Sequence, residues 1–444
     1  MKTRLISFIC GLMVLFPLAA LSQSSINGIV ENEEGIPING AKVSIQGTYL
    51  MVYTGSDGRF QFEKIKDGTY ALVVSSKGNE LFKKDFTISG EDLAMEIIAE
   101  KSPQLIDEVL IESLKIAIKD IQPIELNTQN PLEINNYGQD LPYLLRYTPS
   151  VVVTSDAGAG IGYTGIRIRG VDPTRTNVTI NGIPLNDAES HGVYWVNIPD
   201  IVSSTRTITV QRGVGTSANG VAAFGASINI ETNEVKKTPY AVVATSGGSF
   251  NSLRTSVMAG TGLINEKFTL DTRLSRIVSD GYVDRSSSNL RSLYVSAAWL
   301  GKKSNLRLNV FAGKEKTYQS WYGTPESVIN GDISEINAYA DRNYVDSADR
   351  ANLLNSGRTY NFYTYENEVD DYQQDHYQLI LGHKFSPTLS ATIAAHYTRG
   401  RGFYEQYRAN DDFATYGFTP VIFSTDTITT TDLIRRRWLD NHFY

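Results

Sequence analysis

The sequence predicts a mainly β protein with three parts: an N-terminal β-sandwich, an α+β middle domain, and a run of antiparallel membrane β-strands. Three observations carry this. Apolar residues alternate with polar ones at a strict period of two from about Pro239 onward. Short strand-like runs broken by turn dipeptides fill residues 24–100. The mean hydropathy of −0.22 is too low for a polytopic helical membrane protein, while 41% hydrophobic residues are too many for a disordered chain. The 36 Gly, and 25 Tyr against 17 Phe, agree with many turns and amphipathic aromatics. A net charge of −7 opposes binding to nucleic acid through a basic field.

The N-terminus reads as an address. Lys2 and Arg4 precede an apolar run from Leu5 to Leu21, and Ala20-Leu21-Ser22 supplies the small residues of a cleavage site. Residues 1–22 are expected to be a secretory signal peptide. The alternative is a membrane anchor, for which the run is short and broken by Pro17. The single cysteine, Cys10, lies inside this run, so the mature chain is expected to hold no disulfide, thiolate nucleophile or Cys-metal site.

In residues 24–102, Phe60 and Phe62 alternate with polar neighbours, as do Tyr70, Leu72 and Val74. Glu34-Gly35, Asn39-Gly40, Asp57-Gly58 and Asp67-Gly68 mark turns between them, the spacing of a small sandwich. Gly28-Ile29-Val30, Gly35 to Val43, Thr54 to Phe60 and Gly68-Thr69-Tyr70 resemble the carboxypeptidase-regulatory-like family. That resemblance implies a fold and no peptidase activity, since the segment holds no histidine.

Residues 103–112 form an acidic-apolar stretch that leads into a glycine-rich domain at 113–235. Pro142 to Leu145 and Tyr147 can open a helix that ends at Thr148-Pro149. Val151 to Val153, Ile166 to Ile168, Val178 to Ile180, Arg206 to Arg212 and Ser227 to Ile230 read as strands. Asn181-Gly182 turns the third of these. Asp156 to Gly165 and Gly213 to Gly225 are glycine loops.

From 238 to 444 the runs lengthen. Phe268, Leu270 and Leu274 alternate with Thr269, Asp271 and Arg273, and Leu306, Leu308 and Val310 with Arg307 and Asn309. Leu379 and Leu381, and Leu389 to Tyr397, continue the pattern. One face is apolar and the other carries charge, as a strand between lipid and a polar lumen requires. Trp299, Phe385 and Tyr397 at strand ends suit an interfacial girdle. The alternative is a soluble sheet with one packed face.

The order of parts resembles the TonB-dependent outer-membrane receptors. Two long stretches carry the resemblance. One is Ile168-Arg169-Gly170 followed by Val178 to Asn186; the other is Gln211 to Gly220 followed by Phe224 to Ile230. The resemblance implies a plug domain inside a β-barrel, with the sandwich and TonB box in the periplasm of a Gram-negative cell. On its motifs fall Arg169, Gly170, Asn181, Gly182, Arg212, Gly213 and Gly225. The glycines suit tight turns. Arg169 and Arg212 are expected to pair with lumen carboxylates or to be solvated edge residues. Asp107, Glu108, Val109, Leu110 and Ile111 resemble the TonB box, an extended peptide that adds a strand to the TonB C-terminal domain and its inner-membrane energising complex. The alternative is a plain linker strand.

The implied activity is energy-coupled import, without enzymatic chemistry and without a resident cofactor or metal. Tyr163, His191, Tyr194 and Trp195 are the plug's candidate ligand contacts, although Tyr194 and Trp195 can instead pack the wall. Residues 317–371 lack strand period and carry Trp321 and Tyr322, the expected ligand-capturing outer loop. A ferric siderophore or ferric citrate is the favoured ligand. A glycan importer working with a surface lipoprotein is the alternative, and a non-transporting adhesin a remote one. A barrel that holds a plug has about 22 strands, whereas residues 238–444 supply about seven and the start of an eighth. They are therefore expected to form the first part of a large antiparallel transmembrane β-barrel.

Overall fold

The computed structural model describes residues 24–32, 35–46, 48, 50–76, 79–99, 124–127, 136–213, 224–232, 235–386 and 388–444. The expected signal peptide, the TonB-box residues Asp107 to Ile111 and residues 214–220 of the second motif lie outside them. The chain forms two units, residues 1–104 and 105–444.

The first unit is a two-sheet sandwich. Strands β1 (Ser24–Asn32), β2 (Lys42–Ile45), β3 (Met51–Tyr53), β4 (Arg59–Ile65), β5 (Gly68–Ser76), β6 (Asn79–Ile88) and β7 (Leu93–Ala99) form sheets of order β4-β1-β7 and β3-β2-β5-β6. The period-two residues of the sequence point inward. Ile26, Val43, Phe60, Phe62, Leu72, Val74 and Ile97 make one core between the sheets, the contact that stabilises a sandwich.

The second unit begins with the plug. Its strands are β8 (Ile124–Asn127), β9 (Val151–Ser155), β10 (Thr164–Ile168), β11 (Thr176–Ile180), β12 (Ile183–Pro184), β13 (Thr205–Arg212) and β14 (Ala226–Thr232). Five of them form a mixed sheet of order β12-β11-β14-β13-β8, and β9 pairs with β10. Helix α1 (Leu141–Leu144) runs on into a 3-10 turn at Leu145–Tyr147, where the sequence placed a helix before Thr148-Pro149. Asn181 and Gly182 both take positive φ, 55° and 78°. Ile180 pairs directly with Ile183 across them, the two-residue turn that an Asn-Gly dipeptide favours.

Strands β15 (Tyr240–Gly248), β16 (Ser252–Gly260), β17 (Phe268–Ser279), β18 (Ser288–Leu300), β19 (Ser304–Tyr318), β20 (Val369–Ser386) and β21 (Leu389–Asp412) follow. After a small hairpin of β22 (Val421–Phe423) and β23 (Asp426–Ile428) comes β24 (Thr430–Phe443). β15 to β21 and β24 make one eight-stranded antiparallel sheet in chain order, with β15 and β24 as its two edges.

Burial on this sheet is inverted relative to a soluble one. Leu308 is 41% exposed, whereas its neighbour Asn309 is 0% exposed. Val257, Phe268, Leu270, Leu274, Leu379 and Leu381 are exposed, while Arg254, Ser256, Asp271, Arg273, Arg307 and Gln378 are buried. A soluble sheet buries its apolar face. Here the polar face is covered and the apolar face is open, as in a barrel wall between lipid and lumen. This removes the soluble-sheet alternative.

Of residues 317–371, expected to lack strand period, β19 takes the first two and β20 the last three, and the segment between carries three short helices: α2 (Glu326–Asn330), α3 (Ile333–Arg342) and α4 (Ser347–Ser356). Val328, Ile336, Ala340, Leu353 and Tyr360 give them their own small core. Side chains cap two of them: Asp332 accepts from the Glu335 N–H and Asp346 from the Asp349 N–H.

If the outer face meets lipid, Leu308→Lys should lower folding stability in phospholipid vesicles by up to about 2–4 kcal/mol. Leu308→Val should be nearly neutral. Equal refolding of the two variants from denaturant would contradict the assignment of faces.

Candidate functional site

The plug meets the sheet's polar face at Asp200. The chain before it ends at Pro199, and Asp200 turns it into a 3-10 segment, Ile201–Ser204, with φ at 53°. That left-handed conformation is unusual outside glycine and less so for Asp. It aims a fully buried carboxylate at two arginines of adjacent strands. Arg254 Nε, on β16, lies 2.9 Å from Asp200 Oδ1, and Arg273 Nη1, on β17, lies 3.0 Å from Oδ2. Arg254 also donates to Ser203 Oγ, and Arg273 Nε donates to Ser204 Oγ at 2.7 Å. Asn136 Nδ2 reaches Asp200 Oδ1 at 3.3 Å and Ser203 Oγ at 3.1 Å.

Burial alone would raise the Asp200 pKa. The Arg273 and Arg254 charges and the Ser203 hydroxyl more than reverse this and hold it below the usual carboxylate range. The carboxylate belongs to the plug and the cations to the wall. That is the opposite polarity to the pairing expected of Arg169 and Arg212.

Apolar contact surrounds this anchor. Trp195, Ile198, Ile201 and Val202 of the plug share one core with Tyr294 of β18 and Phe311 of β19. Gly313 of β19 lies where a Cβ would sit 2.8 Å from Pro199 Cδ. Trp195 is 3% exposed, so it packs the plug against the wall, the second of its two expected roles, and is not placed to touch ligand. Tyr194 beside it is 49% exposed. His191 is exposed at a turn with φ 60°, where its carbonyl accepts from Asn186 Nδ2 at 2.9 Å.

The remaining ligand candidates do come together. Tyr163, from the first glycine loop, packs edge-on to Trp321 at 5.5 Å between ring centroids. Trp321 in turn meets Tyr363 at 6.1 Å and Tyr404 of β21 at 5.6 Å. Tyr322 joins through Tyr363 at 5.6 Å and Phe362 at 4.8 Å. Plug, outer loop and wall thus share one aromatic cluster. Gly162, at φ 95°, lets this loop approach so closely that a Cβ would sit 2.7 Å from Ser288 Oγ of β18.

Two carboxylates that sequence reading missed stand beside these rings. Asp370 Oδ2 accepts from the Tyr163 hydroxyl at 2.5 Å, and Tyr404 is its register partner on β21. Glu315 of β19 shares the inward face, with Thr317↔Asp370 and Glu315↔Tyr372 as register pairs. Burial pushes the Tyr163 hydroxyl well above its ordinary value, and the Glu315 and Asp370 charges add to this. The sequence puts Asp370 in the 317–371 stretch without strand period, and nothing in it says which strands face Tyr163.

The motif residues are structural in their contacts. Asn181 Oδ1 accepts from the Thr232 N–H at 3.0 Å, and its Nδ2 donates to Gln378 of β20 at 3.1 Å. Arg212 Nη1 donates to the Pro149 carbonyl at 3.2 Å. Arg169 is exposed and lies along Gly213 of the second motif. The Gly213 N–H donates to the Gly225 carbonyl at 2.8 Å, and Gly170 is exposed. Among the described residues no group of His, Cys, Asp or Glu is placed to hold a metal ion.

Residues 122–227 match the TonB-dependent receptor plug domain, and residues 25–98 the carboxypeptidase regulatory-like domain. The TonB-dependent receptor SusC of Bacteroides thetaiotaomicron is 26% identical over 249 residues, 52% of this chain and 23% of that protein. The fold resembles the ferric-catecholate import receptor Fiu of E. coli K12. That match has a TM-score of 0.52 at 18% identity, over 74% of this chain and 45% of that one. The siderophore receptor PirA of Acinetobacter baumannii gives a TM-score of 0.50 at 15% identity, over 74% and 45%. The chain therefore spans about a quarter of the curated relative and under half of these solved structures.

Removing Asp200 leaves two buried guanidinium groups without their counter-ion. Asp200→Ala should destabilise the plug's seat by about 3–5 kcal/mol, read as faster amide exchange along β13 and β14. Unchanged exchange would remove the anchor's role. A second expectation concerns Asp140, whose carboxyl burial pushes up to about 8, while the Thr164 hydroxyl works the other way. Below the unfolded value near 3.8 it costs nothing. As pH rises toward 8, the unfolded state is ionised while the folded state stays protonated, so stability falls. Asp140→Asn should flatten that slope between pH 5 and 8 in denaturant titrations; an unchanged slope would contradict it.

Proposed function

We propose, from the premise that this chain belongs to the TonB-dependent receptors, that it serves energy-coupled import of a large nutrient across the outer membrane. The family is one of outer-membrane transporters and receptors and not of enzymes. The observation that carries the reading is the plug seated on the covered polar face of a sheet whose apolar face is open. Asp200 ties it to Arg254 and Arg273. A covalent joint would hold the plug permanently. An ion-pair joint holds it specifically and can be broken without chemistry.

In this reading ligand is met outside, at the cluster of Tyr163, Trp321 and Tyr322. The segment Asp107 to Ile111 binds the TonB C-terminal domain in the periplasm as an added strand. Force on that segment reaches β8 first. Among the described residues, β8 is an edge strand joined to β13 by four register pairs, Thr207↔Asn127 to Val210↔Ile124. Asn136 follows it in the chain and hydrogen-bonds Asp200 and Ser203, so the pull arrives next at the wall anchor.

The ligand classes differ in charge. A ferric siderophore or ferric citrate is the first expectation from sequence, and the two named structural neighbours are described as ferric-catecholate and siderophore receptors. The buried carboxylates Glu315 and Asp370 oppose an anionic chelate and favour a ligand that brings hydrogen-bond donors.

Val109→Pro removes a ladder donor from the proposed TonB box. It should abolish capture by the TonB C-terminal domain and abolish energised uptake, with ligand binding at equilibrium unchanged. Unaltered capture and uptake would refute the import mechanism.

A further inference from the structure

Glu315 and Asp370 present a physical problem that the import mechanism does not use. Glu315 is 1% exposed and Asp370 4% exposed. They are diagonal neighbours on one face of β19 and β20, a placement that brings like charges within several ångströms. Among the described residues neither has an ion-pair partner. Glu315 accepts only from Thr317 Oγ1 at 3.2 Å, and Asp370 from the Tyr163 hydroxyl. Buried carboxylates ordinarily have a cation or a full set of donors.

The neighbouring cations are engaged elsewhere. Lys314 pairs with Asp371 at 3.3 Å, Arg401 with Asp375 at 2.9 Å, and Arg436 with Glu405. Arg285 donates to the carbonyls of Tyr363 and Asn361, and Arg437 to the Tyr404 hydroxyl. Glu368 nearby differs in accepting from two backbone donors, the Tyr407 N–H at 3.0 Å and the Tyr365 N–H at 3.4 Å.

A second, independent observation lies at the same place. Asp370 Oδ1, Gln319 Oε1 and Trp321 Nε1 are buried without a hydrogen-bond partner. Two of the three are acceptors. Around them stand the faces and edges of Tyr163, Trp321, Tyr363 and Tyr404. Carboxylates without counter-ions, spare acceptors and electron-rich rings share one chemistry: each attracts a cation that carries N–H donors.

We propose that Glu315 and Asp370, boxed by Tyr163, Trp321, Tyr363 and Tyr404, form a subsite for a cationic donor group of the imported ligand, a protonated amine or a guanidinium. The inference rests on the reading of this cluster as the ligand-facing side of an importer. The ligand's cation enters between Tyr163 and Trp321 and supplies the counter-charge that the wall lacks. Because Tyr163 belongs to the plug and Asp370 to the wall, the same group bridges both. An anionic ferric chelate meets repulsion at this point, and a neutral glycan forms only uncharged hydrogen bonds.

Equilibrium dialysis of the detergent-solubilised receptor, without TonB, tests this with labelled spermidine as the cationic donor alone. Spermidine should bind saturably and more weakly as salt is raised. Glu315→Gln and Asp370→Asn should each weaken it about tenfold or more, whereas Glu266→Gln on an exposed turn should not. Both variants should melt at the same temperature as the parent or higher, since each amide replaces a buried carboxyl that has no counter-ion. Non-saturable spermidine binding, indifference to the two substitutions, or preference for ferric citrate or maltotriose would overturn the proposal. So would a fall in melting temperature, which would make the carboxylates part of the fold. Loss of uptake in Val109→Pro with spermidine binding intact would leave the subsite standing, so the two readings fail separately.

Discussion

The whole of the second unit answers one constraint: a sheet whose polar face is turned inward must cover that face with something polar. Strands β16 to β20 point Arg254, Asp271, Arg273, Arg307, Asn309, Glu315 and Gln378 away from the open side. Leaving such groups unpaired in a dry interior costs several kcal/mol each. Asp271, Arg307 and Asn309 find partners within the wall, and the plug supplies them for Arg254, Arg273 and Gln378. Asp200 takes two arginines, Ser203 and Ser204 take further donors, Asn181 donates to Gln378, and Gln378 donates in turn to the Ile180 carbonyl. Trp195, Tyr294 and Phe311 add an apolar patch within this polar contact.

That arrangement divides the plug's contacts by strength. At Asp200 one carboxylate is shared by two guanidinium groups, and all three side chains are buried. At the aromatic cluster the contacts are ring edges, and the two wall carboxylates lack counter-ions. A well-compensated joint resists opening, whereas an uncompensated one gains from a new occupant. In the proposed import, the first holds the plug until force arrives and the second serves recognition, with stability withheld where a partner is needed.

Much of the fold was legible because it rests on short-range rules. Alternation showed which face of β17 or β19 is apolar, and it holds in the burial of Leu308 and Asn309. Asn181-Gly182 announced its own turn through the backbone freedom of its two residues. The site was less legible because it depends on which side chains meet across long sequence separations. Arginines were sought on the plug motifs, but the plug's anchor is an aspartate and the cations stand on β16 and β17. Trp195 and Tyr163 look alike in sequence as aromatics on loops, yet one closes a core and the other faces Trp321. The helices of residues 326–356 are too short for a clear period, and their sequence reads as loop.

The two faces of the sheet, one open and apolar, the other polar and covered by the plug, can be distinguished directly. The single native cysteine is Cys10, so a nitroxide can be placed at one engineered cysteine at a time in the receptor folded into phospholipid vesicles. Labels at Leu308 and Leu379 should relax strongly with oxygen, which concentrates in lipid, and weakly with a water-soluble nickel chelate. Labels at Asn309 and Gln378 should be shielded from both by the plug. Equal oxygen accessibility on adjacent positions, or a nickel response at Leu308 and Leu379, would contradict a lipid-facing wall closed on its inner side by the plug.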